Sequence, residues 1–193
     1  SGAVEGECQK VYDFIGNPLP IPQSAQKAAE WVSGQLSAGL LVSYGSVPGH
    51  SSDNIAWSFD QGATMVVFSQ IPERLSFARL IADKMISLQE EDGLWKAGYG
   101  GISLTEKDNK IVGNIATVAR GQVEVGLKTG DGKYIQSAKK AGDAIITKYW
   151  KSAGSDKGYF TGGFEGNQNA IWTSTENNAR AGIFFYRLWK ATG

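Results

Sequence analysis

The chain has 193 residues, 41% of them hydrophobic and 20% charged, enough for one domain with a core of its own. Nineteen basic residues balance nineteen acidic ones, which argues against the basic face that a nucleic acid or membrane surface needs. No apolar run approaches the roughly 20 residues of a membrane span, and a lone cysteine, Cys8, excludes an internal disulfide.

Residues 1–22 carry Pro18, Pro20 and Pro22 and read as an irregular lead-in. Residues 23–193 read as one all-α domain of about six helices. The first helix is expected over about Ser24–Ala38. The second, about Trp57–Ser69, holds Ala63, Met65, Val66, Val67 and Phe68 with almost no charge. The third, about Glu73–Glu90, sets Leu75, Ala78, Ile81, Met85 and Leu88 at three- and four-residue steps. The fourth, about Val112–Leu127, is apolar on most sides. The fifth, about Lys133–Trp150, repeats the stripe with Tyr134, Ala138, Ala141, Ile145 and Tyr149. The sixth, about Ser174–Trp189, is again apolar on most sides. A single stripe marks a helix with one wet face, whereas a helix apolar all round is surrounded by protein.

Amphipathic and buried helices therefore alternate. The connections alternate too: short turns at Gln70-Ile71-Pro72 and Thr129-Gly130-Asp131-Gly132, and long loops elsewhere. Buried helices start near 57, 112 and 174, giving spacings of 55 (112 − 57) and 62 (174 − 112) residues. The pattern predicts an array of hairpins, inner helix then outer helix, with all long loops at one end. Such an array closes into a ring, of which six helices form about half. A half-ring leaves two apolar flanks, to be covered by a second copy or by a missing C-terminal half.

The long loops hold most of the chemistry. Tyr44, His50 and Asp53 lead to Trp57; Asp92, Trp95 and Tyr99 follow the third helix; Tyr159, Phe160, Phe164, Glu165 and Trp172 follow the fifth. Aromatic rings beside carboxylates and amides suit sugars, whose apolar faces stack while their hydroxyls bond. Trp57, Asp92, Trp95, Tyr99, Trp172 and Asn177 are the candidate sugar-binding residues. Asp60 and Glu176 fall in the first turns of inner helices, facing the mouth of the ring, and are the candidate catalytic pair, since glycoside hydrolysis uses two carboxylates. A helix N-terminus favours the charged form of both, which suits a base better than an acid. Both also read as capping: Thr173-x-x-Glu176 is a capping box and Ser58-x-x-Gln61 has its form. Gln89-x-x-Asp92-Gly93-x-Trp95 reads equally as a helix stop with a packing Trp. Arg120 and Arg180 are expected to pair with acids such as Glu124. No Cys/His/Asp cluster has metal-ligand spacing, and no cofactor motif is present, so neither a metal nor a cofactor is expected.

The run Ile171-Trp172-Thr173-Ser174-Thr175-Glu176-Asn177-Asn178 resembles the Trp-Ser-Ser-Thr-Glu-His-Asn stretch of bacterial α/α-toroid, six-hairpin glycoside hydrolase-like proteins. Phe59-Asp60-Gln61-Gly62-Ala63, Gln89-x-x-Asp92-Gly93 and Lys128-Thr129-Gly130-Asp131-x-x-Tyr134 resemble the same group in the same order. The resemblance implies about half of a toroid and an oligo- or polysaccharide ligand. Asn177 stands where those proteins carry His, which leaves binding without turnover open. Terpene cyclases share the Gln-x-x-Asp-Gly-x-Trp pattern, but their Asp-x-Asp-Asp motif is absent here. Three readings follow: a glycoside hydrolase-like enzyme, a non-catalytic sugar- or protein-binding module, or an inactive piece of a larger toroid. The compartment stays open, because a secreted or periplasmic protein can lack disulfides.

Overall fold

The computed structural model describes residues 22–43, 54–100, 105–154 and 157–193. Tyr44, His50 and Asp53, and all of the N-terminal lead-in except Pro22, lie outside the described residues. Six α-helices follow in order: α1 (Gln23–Ser33), α2 (Ser58–Phe68), α3 (Leu75–Leu88), α4 (Val112–Thr129), α5 (Gly132–Tyr149) and α6 (Thr175–Thr192). They form the expected alternation, with α2, α4 and α6 inner and α1, α3 and α5 outer.

The helix α4 is the centre of the array. It packs against α2, α6, α5 and α3, and fifteen consecutive positions from Val112 to Gly126 contain only two that are not buried, Asn114 and Arg120. Its composition allows this enclosure. A Cβ at Gly121 would sit 2.8 Å from Met65 and 2.9 Å from the Gly62 carbonyl, and one at Gly62 would meet the backbone of Thr117 and Val118 at 2.5–2.7 Å. The α2 and α4 backbones touch there.

The outer helices lie behind. Trp95, Tyr134, Met85, Ile81 and Ile145 fill the space between α3, α4 and α5 and are fully buried. The α4–α5 turn is closed by Gly130, left-handed at φ 72°, and by Asp131, which caps α5 by accepting from the Lys133 N–H. A Pro at the start of a short 3-10 turn, Pro72–Arg74, opens the other tight connection.

Two expectations need correction. First, α1 stops at Ser33 rather than continuing to Ala38. The chain turns into a hairpin of β1 (Leu36–Ser37) and β2 (Leu40–Leu41), with Ala38 and Gly39 both at positive φ (51° and 85°) in its two-residue loop. That twist suits a hairpin and not a helix. The long loops also carry short strands. They pair as β3 (Ile55–Trp57) with β4 (Gly98–Gly100), β5 (Lys110–Ile111) with β8 (Gly163–Glu165), β8 in turn with β9 (Gln168–Asn169), and β6 (Trp150–Lys151) with β7 (Tyr159–Phe160), all antiparallel. Neighbouring loops thus satisfy one another's backbone groups. Second, α6 is not surrounded by the described residues. Phe184 and Ala181 are buried, but Ile183, Tyr186 and Trp189 are 47%, 56% and 57% exposed. It lies at the edge of the array, where no other helix among the described residues packs on that side. No helix among the described residues is long and apolar enough to cross a membrane.

The two classes of glycine give opposite predictions. Gly62→Ala should lower the unfolding free energy by about 1–3 kcal/mol, because the new methyl meets backbone that cannot yield. Nothing lies within 4 Å of a Cβ at Gly182, on the open face of α6, so Gly182→Ala should raise stability by about 0.5–1 kcal/mol. Urea unfolding of the two variants checks both signs.

Candidate functional site

The first turns of α2, α4 and α6 lie together at the long-loop end. Each starts directly after a strand or extended segment, so the loop strands fix where these turns point. On α2, Trp57 is the N-cap and Ser58 the first helical residue, and the Ser58 hydroxyl donates to the Lys96 carbonyl. Gln61 is therefore not a capping partner. It is fully buried, and its amide bonds both the N–H and the carbonyl of Leu41 at 2.8 Å, tying the β2 strand to the helix. On α6 the cap is Ser174, which accepts from the Asn177 N–H, and not Thr173. Thr173 instead donates to the Phe160 carbonyl. The capping box is shifted by one residue, which leaves the Glu176 carboxylate free of the backbone.

Asp60 and Glu176 therefore have distinct surroundings. Asp60 is half-buried, and burial raises its pKa above the usual carboxylate value against a smaller opposing pull from the Ser43 hydroxyl. Glu176 is largely exposed and ion-paired with Arg180, one helical turn on, through Nε at 3.1 Å and Nη2 at 2.5 Å. The Arg180 guanidinium also donates to Thr117 Oγ1 at 3.2 Å and lies 4.2 Å over the Phe59 ring. Arg180 thus crosses α4 and joins the Glu176 end of α6 to the residue next to Asp60 on α2.

The other candidates divide. Trp57 is partly buried and lies against Gly98, where a Cβ would approach its ring to 2.9 Å. Trp172 is 39% exposed, rests flat against Gly162, and donates its indole N–H to Glu165 at 3.0 Å. It is the one candidate ring that is both held in place and open to solvent. Trp95 belongs to the core: it is fully buried and donates to the Met85 carbonyl at 2.7 Å, so no sugar can stack on it. The Tyr99 hydroxyl is spent on the backbone, accepting from the Lys96 N–H, and burial pushes its pKa upward. Asn177 is buried at the α4–α6 contact, where its Oδ1 occupies the space a Cβ on Gly113 would need.

Asp92 joins an ion network behind the mouth. Lys110 and Lys148 both reach its Oδ2 at 2.7 Å, and Lys110 also pairs with Glu90 at 2.6 Å. The neighbouring Gln89 amide donates to the Gly93 and Ser137 carbonyls and accepts from the Ser137 hydroxyl. The Gln89–Trp95 segment is thus a clamp between α3 and α5. The groove beside it, lined by Asp92, Lys110, Lys148, Tyr149, Phe164 and Asn169 among others, holds about 410 Å³. Spacing along the chain could not reveal that Lys148 lies opposite Asp92. Among the described residues no group of three or more His, Cys, Asp and Glu side chains could hold a metal.

No family model matches the chain, and no curated protein does. Solved structures match by shape. A possible GH105-family member from Salmonella enterica serovar Paratyphi A has a TM-score of 0.63 at 17% identity, over 88% of this chain and 50% of that one. A sugar epimerase from a ruminal bacterium gives 0.65 at 11% identity, over 89% and 49%. The unsaturated glucuronyl hydrolase of Bacillus sp. GL1, described as degrading glycosaminoglycan, gives 0.55 at 16%, over 72% and 40%. The fold is that of the α/α toroids. The chain spans between two fifths and half of the length of these structures.

The Asp92 network makes a pH prediction. Burial alone would raise its pKa, but the bonds from Lys110 and Lys148 outweigh that and hold it at about 2, below the ordinary 3.8. Its stabilising contribution is complete above pH 3.8 and is lost as pH falls through about 2. Asp92→Asn should cost about 1 kcal/mol at neutral pH, allowing for solvent screening, and much less near pH 2. Thermal melts across pH would read this as two curves converging in acid.

Proposed function

We propose that the long-loop mouth is a carbohydrate site of glycoside hydrolase type, acting on an oligo- or polysaccharide. The observation that carries this reading is the unlike environment of its two carboxylates. Burial favours the neutral form of Asp60, which equips it to protonate a departing glycosidic oxygen. Glu176, exposed and oriented by Arg180, is the base or nucleophile. Where two titratable groups sit in such unlike surroundings, the acid and base roles follow from them. Trp172 offers its ring to the apolar face of a pyranose, with Glu165 fixing the edge of the indole. The toroid neighbours support the reading through their names, two of which describe or suggest glycoside hydrolases.

A second reading, sugar binding without turnover, draws on Glu176 and Asn177. One Glu176 oxygen is already engaged twice by Arg180, and the Asn177 side chain faces a helix contact and not the mouth.

Release of reducing ends from a panel of oligosaccharides tests the first reading. Asp60→Asn and Glu176→Gln should each lower kcat by at least about 100-fold. The wild-type rate should fall as pH rises past the elevated Asp60 pKa, since the proton is then gone. Full activity in Asp60→Asn would remove Asp60 from the mechanism. Trp172→Ala should weaken binding about tenfold under either reading. Tryptophan quenching by an oligosaccharide, with no release of product from wild type, would select binding without turnover.

A further inference from the structure

A three-stranded sheet crosses the long-loop end, and its register sets three side chains in a row. Lys110 on β5 pairs with Phe164 on β8, and Phe164 pairs with Asn169 on β9. Cross-strand partners share a face, and this face forms one wall of the groove of about 410 Å³ beside Asp92. Glu165, the next residue of β8, points to the opposite face and holds the Trp172 indole. One strand thus serves two surfaces, the mouth on one side and the groove on the other.

The opposite wall is the C-terminal end of α5 together with the Gln89–Trp95 clamp. Tyr149 lines it and is only 4% exposed. The charges of Asp92 and Lys110 both act on the Tyr149 hydroxyl, yet among the described residues that hydroxyl has no hydrogen-bond partner. A hydroxyl so placed calls for a polar atom from outside the chain. The Asn169 side chain is exposed at the other edge of the groove, and Phe164, between Asn169 and Lys110 in the sheet, is partly exposed.

The charges of the groove select the ligand. Asp92 is matched by Lys110 and Lys148, Lys110 also by Glu90, and Asp108 by Lys96. An ionic ligand would have to break one of these pairs and leave a charge unmatched. A hydroxyl group leaves them intact, because an ammonium has three donors and Lys148 gives one to Asp92. The volume falls within the roughly 300–1,000 Å³ of small-molecule sites, and a phenyl ring beside an amide and a hydroxyl suits a pyranose.

We propose that this groove is a second carbohydrate site, separate from the mouth, that takes a neutral glycosyl unit. Phe164 stacks on the sugar ring, Tyr149 and Asn169 bond its hydroxyls, and Lys148 donates from the rim. The site requires neither catalysis nor a bound sugar at the mouth.

Backbone amide NMR spectra of the whole chain, titrated with cellobiose, maltose, lactose and xylobiose to tens of millimolar, test this. Glucuronate serves as the charged control. At least one neutral sugar should shift the amide signals of Lys110, Lys148, Phe164 and Asn169 saturably, and glucuronate should not. Phe164→Ala should weaken that binding about tenfold, and Tyr149→Phe and Asn169→Ala each about threefold or more. Trp172→Ala should leave it unchanged. Thermal melts establish that each variant is folded, and Asn169→Ala, at an exposed position, keeps the test available should a change at Phe164 or Tyr149 unfold the chain. Four outcomes would overturn the proposal: no saturable shift in the groove with any neutral sugar, wild-type affinity in the folded groove variants, loss of the groove shifts in Trp172→Ala, or tighter binding of glucuronate. The mouth is judged by product release and tryptophan quenching, so either site can fail while the other stands.

Discussion

At Gly62 and Gly121 the backbones of α2 and α4 come so close that neither position can carry a Cβ without moving the other helix. That contact sets the spacing of the array. It brings α2 against one side of α4, while Gly113 admits the Asn177 side chain on the other side. Three inner helices then lie near enough for one arginine, Arg180, to reach from α6 across Thr117 to the Phe59 ring. With a wider gap between α2 and α4, the first turns that carry Asp60 and Glu176 would have no common mouth. Helix propensity is sacrificed at these glycines for close approach, a trade that holds only where packing is dense on both sides.

Two glutamines, Gln61 fully buried and Gln89 partly so, hold the loops to this frame. Gln61 bonds both backbone groups of Leu41, and Gln89 bonds Gly93 and Ser137. An amide side chain offers donors and an acceptor together, so it can satisfy backbone that has left regular structure. Short strand pairs between neighbouring loops do the rest. The long-loop end is therefore built of cross-braced segments among the described residues, which is what positioning a site requires.

The fold was legible because it rests on periodicity. Leu75, Ala78, Ile81 and Met85 recur on one face of α3, and apolar residues on most sides of α4 announced its enclosure. Alternating long and short connections then fixed which helix ends share a side. The sites were less legible, because their chemistry depends on partners distant in sequence. Trp95 and Trp172 look alike as loop tryptophans, yet one is sealed beneath Met85 and the other lies open on Gly162. Thr173-x-x-Glu176 has the spacing of a capping box, but strand pairing draws Thr173 to Phe160 and moves the cap to Ser174. The reading of α6 as buried failed for a related reason. Its apolar composition fits an enclosing environment, and the described residues cover only one side of it.

The electrostatics of the inner face follow from the same geometry. Beside the trough lined by Phe59, Thr117, Arg120 and Arg180, Glu176 is matched to Arg180 and Glu124 to Arg187. A chain with equal numbers of acidic and basic residues can still leave a local imbalance when one cation sits at a depth its own acids do not reach. Arg120 is that cation, two turns below the mouth and surrounded by alanine, valine and isoleucine side chains. In an enclosed barrel an unmatched guanidinium would be too costly to keep, whereas in an open trough water bears part of the cost. The open flank of α6 and the free charge of Arg120 are thus two consequences of one fact, that the inner helices face a space which this half-ring does not fill.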